Sequence, residues 1–277
     1  KLIGLIMYLS KLFNKLKKKI LRNVIEIIVK YIPDDFDELL ELKLAMRQGK
    51  WANYSLKDEV QRSLNLLDHY PSVFVDIGAH EGKFTSELLK IYPQTNCHLF
   101  EPSKKNNTYL NILFSDKENI FIHPYSLSDT NSIGKLYGDQ SGSQLGSLTK
   151  RYFGKQVNID FNFLEEVIVK RFDEYWLKEN LPKKIDFMKI DVEGYELNVL
   201  RGLGDLIENI SLIQFEFGGT HIDTRNFFRD FWLYFEEKKF KLFRITQNGI
   251  KPIDSYHENL EIFYISNYLA LNTRIES

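Results

Sequence analysis

The chain has 277 residues, is 43% apolar and 27% charged, and carries a net charge of −1. That length buries a sizeable core in one domain, or in one domain plus an appendage. The near-neutral balance gives no overall pull toward nucleic acid, so no nucleic-acid partner is expected. The single Cys97 excludes an intrachain disulfide and offers no metal-site spacing. It reads as a small buried apolar residue in a reducing compartment, and a cytoplasmic protein is expected.

Charge is unevenly placed. Residues 1–22 carry Lys1, Lys11, Lys15, Lys17, Lys18, Lys19 and Arg22 and no acid. Over residues 1–31, Leu5, Leu9, Leu12, Leu16, Ile20, Val24 and Ile27 recur at spacings of three and four, which predicts a basic amphipathic helix. No stretch there approaches the ~20 apolar residues of a membrane span. Packing on the rest of the chain, or contact with a second copy in a homodimer, is the favoured reading of this helix. Peripheral contact with an anionic membrane surface through residues 1–31 is the alternative. Pro33 ends it, and Asp34 or Asp35 is placed to cap the next helix. Residues 36–47 and 56–67 read as two further helices. Pro71 then marks a boundary, giving a helical region 1–70 and a main domain 71–277.

From residue 72 the pattern changes to strand–helix alternation. Strands are expected at 72–77, 97–101, 120–124, 185–190, 212–217, 241–245 and 261–265. Helices are expected at 84–91, 104–114, 172–180, 197–203 and 224–238. Such alternation implies an α/β domain with a seven-stranded, mostly parallel sheet, helices on both faces, and the last two strands as an antiparallel hairpin at one edge. The stretch 130–148, rich in Ser, Gly and Gln, interrupts the pattern as an ordered lid or a plain surface loop. Helix 224–238 is expected to bury Phe227, Phe228, Phe231 and Phe235.

In open α/β sheets ligands sit beyond the carboxyl ends of the strands. Acids stand at nearly every such end here. The first strand ends in Asp76, followed by Gly78-Ala79-His80-Glu81-Gly82, a turn that lets the backbone approach a ligand. Glu101 ends the second strand, 23 positions after Gly78, where a carboxylate can accept two hydrogen bonds from a ribose diol. A dinucleotide turn needs Gly-x-Gly-x-x-Gly, and these glycines are four apart instead. Asp76 and Glu81 would also repel a pyrophosphate. They suit a cationic, phosphate-free ligand such as S-adenosylmethionine. The fourth strand ends in Lys189-Ile190-Asp191-Val192-Glu193-Gly194-Tyr195-Glu196, with charges in an otherwise buried run. Such acids could bind an amino-acid moiety, a substrate hydroxyl or a metal, or Lys189 could simply pair with one of them.

These segments, with Ser126-Leu127-Ser128-Asp129 and Phe215-Glu216, resemble the FkbM family of S-adenosylmethionine-dependent methyltransferases. The resemblance covers residue 72 to the C-terminus and implies a Rossmann-like class I methyltransferase fold. It implies that Asp76, Gly78, Ala79 and Gly82, with Thr85, line the methionine and ribose part of the cofactor. Glu101, with Pro102, would hold the ribose hydroxyls, Ser126 would border the adenine, and Asp191 would stand near the methyl group. His80 departs from the family's usual Asn. The implied activity is O-methyl transfer to a hydroxyl of a sugar, glycan or related small molecule, with the acceptor base among Asp191, Glu193, Glu216 and His221. No metal is assigned, and a divalent ion on Asp191, Glu193 and Glu216 is the weaker alternative. Two other readings are a nicotinamide-dependent oxidoreductase, disfavoured by the glycine spacing, and a non-catalytic scaffold on a membrane surface.

Overall fold

The computed structural model describes residues 2–33, 36–153 and 159–275, so Asp34 and Asp35, the expected caps, lie outside the described residues. The chain divides into two compact units, residues 1–45 and 46–277. The first holds α1 (Leu2–Tyr31) and most of α2 (Asp37–Arg47). On α1, Phe13, Leu16, Ile20, Val24 and Ile27 are exposed. At 3.6 residues per turn they share one face, and the exposed Lys11, Lys15, Lys18 and Arg22 share the opposite one. No helix among the described residues is long and apolar enough to cross a membrane.

The second unit opens with α3 (Leu56–Leu64), begun by Ser55, whose Oγ accepts the Asp58 N–H at 3.1 Å. Then come β1 (Val73–Ile77), α4 (Lys83–Ile91), β2 (Asn96–Phe100), α5 (Lys104–Leu113) and β3 (Ile120–His123). They are followed by β4 (Ser126–Ser128), β5 (Ser132–Gly138), β6 (Phe163–Arg171), α6 (Phe172–Lys178), β7 (Ile185–Ile190) and α7 (Glu196–Gly202). The chain ends with β8 (Ile210–Phe217), α8 (Thr220–Thr224), α9 (Phe228–Glu237), β9 (Phe240–Thr246), β10 (Gly249–Ile253) and β11 (Ser266–Asn272). Among the described residues the main sheet has eight strands, in the order β10-β9-β11-β8-β7-β1-β2-β3. From β8 to β3 all neighbours are parallel, while β11, β9 and β10 pair antiparallel at the other edge. The order reverses at β1, between β2 and β7, which opens a crevice beyond its carboxyl end.

Alternation along the strands feeds two cores. Val73, Val75 and Ile77 of β1 and Met188 and Ile190 of β7 face one, shared with Phe215, Phe231 and Trp176. Phe74 and Phe187 face the other, with Val60 and Leu64 of α3, Phe84 and Leu88. Each fully buried side chain of this size stabilises the fold by roughly 1.5–3 kcal/mol. Because α3 supplies Val60 and Leu64 to this core, it belongs with the sheet rather than with the N-terminal helices. Cys97 is buried too, and burial pushes its thiol above the usual range.

Several expectations need correction. The sheet has eight strands rather than seven, because Gly249–Ile253 turns back on β9 despite Pro252. The last strand is Ser266–Asn272 rather than 261–265, since Tyr264 and Ile265 are exposed whereas Ser266–Ala270 are buried against β8 and β9. Part of the 130–148 stretch is β5, in a second sheet ordered β4-β6-β5. Helix 224–238 splits into α8 and α9 at Arg225, whose φ is +58°. Phe227 lies outside α9 and is exposed, while Phe228, Phe231 and Phe235 are buried as expected.

Asp186 on β7 anchors the start of β1. It accepts the Ser72 and Val73 N–H groups at 2.7 and 3.0 Å and pairs with His69 Nε2 at 3.0 Å and Lys184 Nζ at 3.1 Å. Burial alone would push its carboxyl up, but the hydrogen bonds from His69, Val73 and Lys184 hold it below its usual range. Hydrogen bonds to Asp68, then to Asp186, hold the His69 imidazole above its usual range. A histidine raised in the folded state binds more protons folded than unfolded. Its contribution is therefore full below about pH 6.5 and fades as pH rises through the higher folded value. His69→Gln is expected to lower the melting temperature more at about pH 6 than at about pH 9, read by circular dichroism. Equal losses at the two pH values would refute the pairing.

Candidate active site

The turn after β1 is set by three residues with positive φ: Gly78 (+82°), His80 (+49°) and Gly82 (+69°). A Cβ on Gly78 would stand 1.9 Å from the Asp191 carbonyl oxygen, so only glycine lets the ends of β1 and β7 approach this closely. The Gly78 and Ala79 N–H groups donate to the Phe100 carbonyl at 2.9 and 3.1 Å. The His80 N–H donates to Glu101 Oε2 at 2.8 Å, and the Ser103 N–H to Glu101 Oε1 at 2.9 Å. His80 thus serves through its backbone, while its ring Nε2 lies 3.2 Å from the Gly142 carbonyl oxygen. Glu101 is 5% exposed. Burial pushes its carboxyl up to about 7 despite these two N–H donors.

A cavity of about 400 Å³ opens above this turn. Its walls include Gly78, Ala79, Glu101, Pro102, Tyr125, Ser126, Leu127 and Leu145, with Asp191, Glu193 and Glu216 at the strand ends. The structure brings these expected residues together. Four others it does not. Asp76 is fully buried beneath the turn, where its Oδ2 accepts the Thr85 hydroxyl at 2.7 Å and its Oδ1 lies 3.8 Å from Lys189 Nζ. Thr85 is therefore a support for Asp76. Gly82 begins α4 and packs toward Leu110 and Phe114, which a Cβ would meet at 2.8 Å. His221 is completely buried against Phe217 and Phe231, away from the cavity walls. Its Nε2 lies 2.9 Å from Glu196 Oε2, without the alignment of a hydrogen bond.

The acid cluster is held from behind. Lys189 on β7 stands opposite Asp76 in the β1 register, and its Nζ donates to Asp191 Oδ2 at 3.0 Å. Burial would lower the Lys189 pKa, but Asp191, Asp76 and Glu59 together raise it above the usual lysine range. Glu196, fully buried at the start of α7, accepts the Val192 N–H at 2.9 Å and the Gly194 N–H at 3.0 Å, which fixes the turn carrying Glu193. From the other side Arg151 Nη1 reaches Glu193 Oε2 at 3.0 Å, and Ser147 Oγ donates to the Glu193 carbonyl at 2.7 Å. Ser143, Leu145, Gly146 and Leu148 line the cavity, so much of the stretch read as lid or loop is cavity wall.

Sequence reasoning missed Glu59 of α3. Gln214 Nε2 donates to Glu59 Oε1 at 2.6 Å, Ser63 Oγ donates to Gln214 Oε1 at 2.6 Å, and Glu59 lines the cavity. Among the acids of an amphipathic helix no local signal marks it; only the contact with Gln214 of β8 does. Burial raises Glu59 to about 7 against Lys189 and Gln214. It raises Glu193 to about 8, with Asp191 adding and Arg151 opposing. Glu216 is pushed well above the carboxylate range by burial, then by Asp191 and Glu193. Carboxyls near neutrality suit proton transfer from an acceptor.

The sequence model of the methyltransferase FkbM domain matches residues 76–242. "Methyltransferase 1" of Beauveria bassiana (strain ARSEF 2860) is 27% identical over 159 residues, which span 50% of this chain and 63% of that protein. A putative methyltransferase from Streptococcus mutans in complex with SAH aligns at a TM-score of 0.44 and 8% identity, over 79% of this chain and 98% of that one. Fibrillarin of Aeropyrum pernix with natively bound S-adenosyl-L-methionine aligns at 0.42 and 12% identity, over 78% and 75% of the two chains.

Proposed function

Because the chain belongs to the methyltransferase FkbM family and takes S-adenosylmethionine as its methyl donor, we propose that it is an O-methyltransferase for a hydroxyl of a sugar, glycan or related small molecule. The observation that carries this reading is the meeting of Asp191, Glu193 and Glu216 in the wall of a cavity that Glu101 also lines. The donor set fits the cofactor. Phe100, Tyr125, Leu127 and Pro102 give an apolar wall for a base. Glu101 retains lone pairs beyond those taken by His80 and Ser103, and these accept a ribose diol. The turn itself is acidic, and its lysine, Lys83, is paired with Glu81 at 2.6 Å, so nothing there favours a phosphate.

When bound, S-adenosylmethionine supplies an electrophilic methyl group on a sulfonium. The protein aligns an acceptor oxygen with that methyl, which provides a large share of the acceleration. A carboxylate among Asp191, Glu193, Glu216 and Glu59 takes the hydroxyl proton as the oxygen–carbon bond forms, a role worth typically ~10²–10⁴ in rate. Arg151 and Lys189 keep two of these carboxylates in place. Outside the catalytic unit, the basic face of α1 and its exposed apolar face suit an anionic lipid surface, where a lipid-linked glycan acceptor would be presented.

The test is mass spectrometry of free and lipid-linked saccharides incubated with labelled S-adenosylmethionine, with and without phosphatidylglycerol vesicles. Label retained on oxygen in a saccharide product is expected. Transfer only to nitrogen or carbon acceptors would overturn the O-methyl reading. Equal sedimentation with phosphatidylglycerol and phosphatidylcholine vesicles would overturn the lipid contact.

A further inference from the structure

We propose that Asp191, Glu193 and Glu216 form a binding site for one hard divalent cation of the calcium, magnesium or manganese class. Three observations meet here. One carboxylate oxygen from each residue lies within 4.8 Å of the other two. Opposite ligands of an ion bound at 2.3–2.6 Å stand about 4.6–5.2 Å apart, so this spacing encloses a cation with little movement; a smaller ion at 2.0–2.1 Å draws the oxygens together by up to about 0.6–0.8 Å. The donors are all oxygen, with no imidazole or thiolate among them, which selects hard ions over zinc or copper.

The third observation is Glu216 itself. It is nine-tenths buried and lines the cavity. Among the described residues it has no hydrogen-bond donor and no cation within ion-pair distance. Its two companions are different: Lys189 takes one oxygen of Asp191 and Arg151 one oxygen of Glu193, which leaves the second oxygen of each for another partner. A buried carboxylate without a partner calls for one, and an approaching cation reaches it together with the two remaining oxygens. All three stand at or just after the ends of adjacent parallel strands, β7 and β8, so the backbone presets their convergence. Three protein ligands leave the other half of a six-coordinate shell open to the cavity, for water or for two neighbouring oxygens of an acceptor. The ion site stands on its own; its role in holding an acceptor diol rests on the O-methyl reading.

The experiment is a titration of the full, chelator-treated chain with manganese chloride, free manganese being read by electron paramagnetic resonance, without methyl donor or acceptor. One saturable ion per chain is expected, displaced by calcium. Glu216→Gln is expected to weaken manganese binding about tenfold or more while leaving S-adenosylhomocysteine affinity within about threefold. Without metal, Glu216→Gln is expected to melt no lower than the parent chain, and calcium is expected to raise the melting temperature of the parent alone. Absence of saturable manganese binding by the parent chain overturns the proposal. So does unchanged binding by Glu216→Gln, or a loss of S-adenosylhomocysteine affinity alone, which would assign the carboxylate to the cofactor's amino group. Should Glu216→Gln fail to fold, Glu193→Gln carries the same comparison. Normal manganese binding with no transfer to oxygen would refute the O-methyl reading and leave the ion site standing.

Discussion

Replacing Lys189 by methionine is expected to cost about 3–5 kcal/mol of stability, the range for removing one partner of a buried ion pair. Lys189 is 8% exposed and faces two carboxylates, Asp191 at 3.0 Å and the fully buried Asp76 at 3.8 Å. Methionine keeps most of the side-chain volume, so the loss reports charge rather than packing. For a unit of this size it corresponds to roughly 6–20 °C in melting temperature. Asp76→Asn alone should be much milder, and adding it to Lys189→Met should recover part of the loss, because the buried charge then leaves with its counter-charge. A double variant as unstable as the sum of the two singles would show that the pair does not act as a unit.

Replacing Glu101 by alanine is expected to weaken S-adenosylhomocysteine binding about 30- to 1000-fold, or about 2–4 kcal/mol, for two hydrogen bonds to a charged group. Glu101→Gln should lose less, since an amide oxygen still accepts from the ribose, although its NH2 would face the His80 and Ser103 N–H groups that now donate to the carboxylate. Calorimetry measures both. Unchanged affinity in Glu101→Ala would remove Glu101 from the cofactor site.

Much of this architecture could be read from the chain because its strongest signals are local. A buried apolar run ending in an acid and a glycine turn announces β1 and α4, and charges inside the β7 run mark a site. What failed was set by tertiary pairing. Residues 261–265 have the aromatic and β-branched character of a strand, but β8 and β9 pair with Ser266–Asn272 instead. β5 has mostly unburied positions and two glycines, so it carries no alternating pattern to read. At the site, Asp76 and Thr85 sit under the turn rather than in the cavity, and a sequence does not say which face of a strand a ligand meets. His221 reads from the sequence as a candidate base, but not as a ring enclosed by Phe217 and Phe231. Glu59 entered only through Gln214, more than 150 positions away.

Without a Cβ at Gly78, the ends of β1 and β7 close up at the turn. With β1 and β7 in contact there, joined by the Asp191 N–H to the Ile77 carbonyl at 3.0 Å and by Asp76 to Lys189, the glycine turn and the acid cluster form one block. On the proposed function, the spacing between donor and acceptor would then be set by folding. The stretch from Ser143 to Arg151, part of the cavity wall, touches the block through side chains at Glu193. On the proposed function, exchanging that stretch is expected to change the acceptor while leaving the transfer geometry intact.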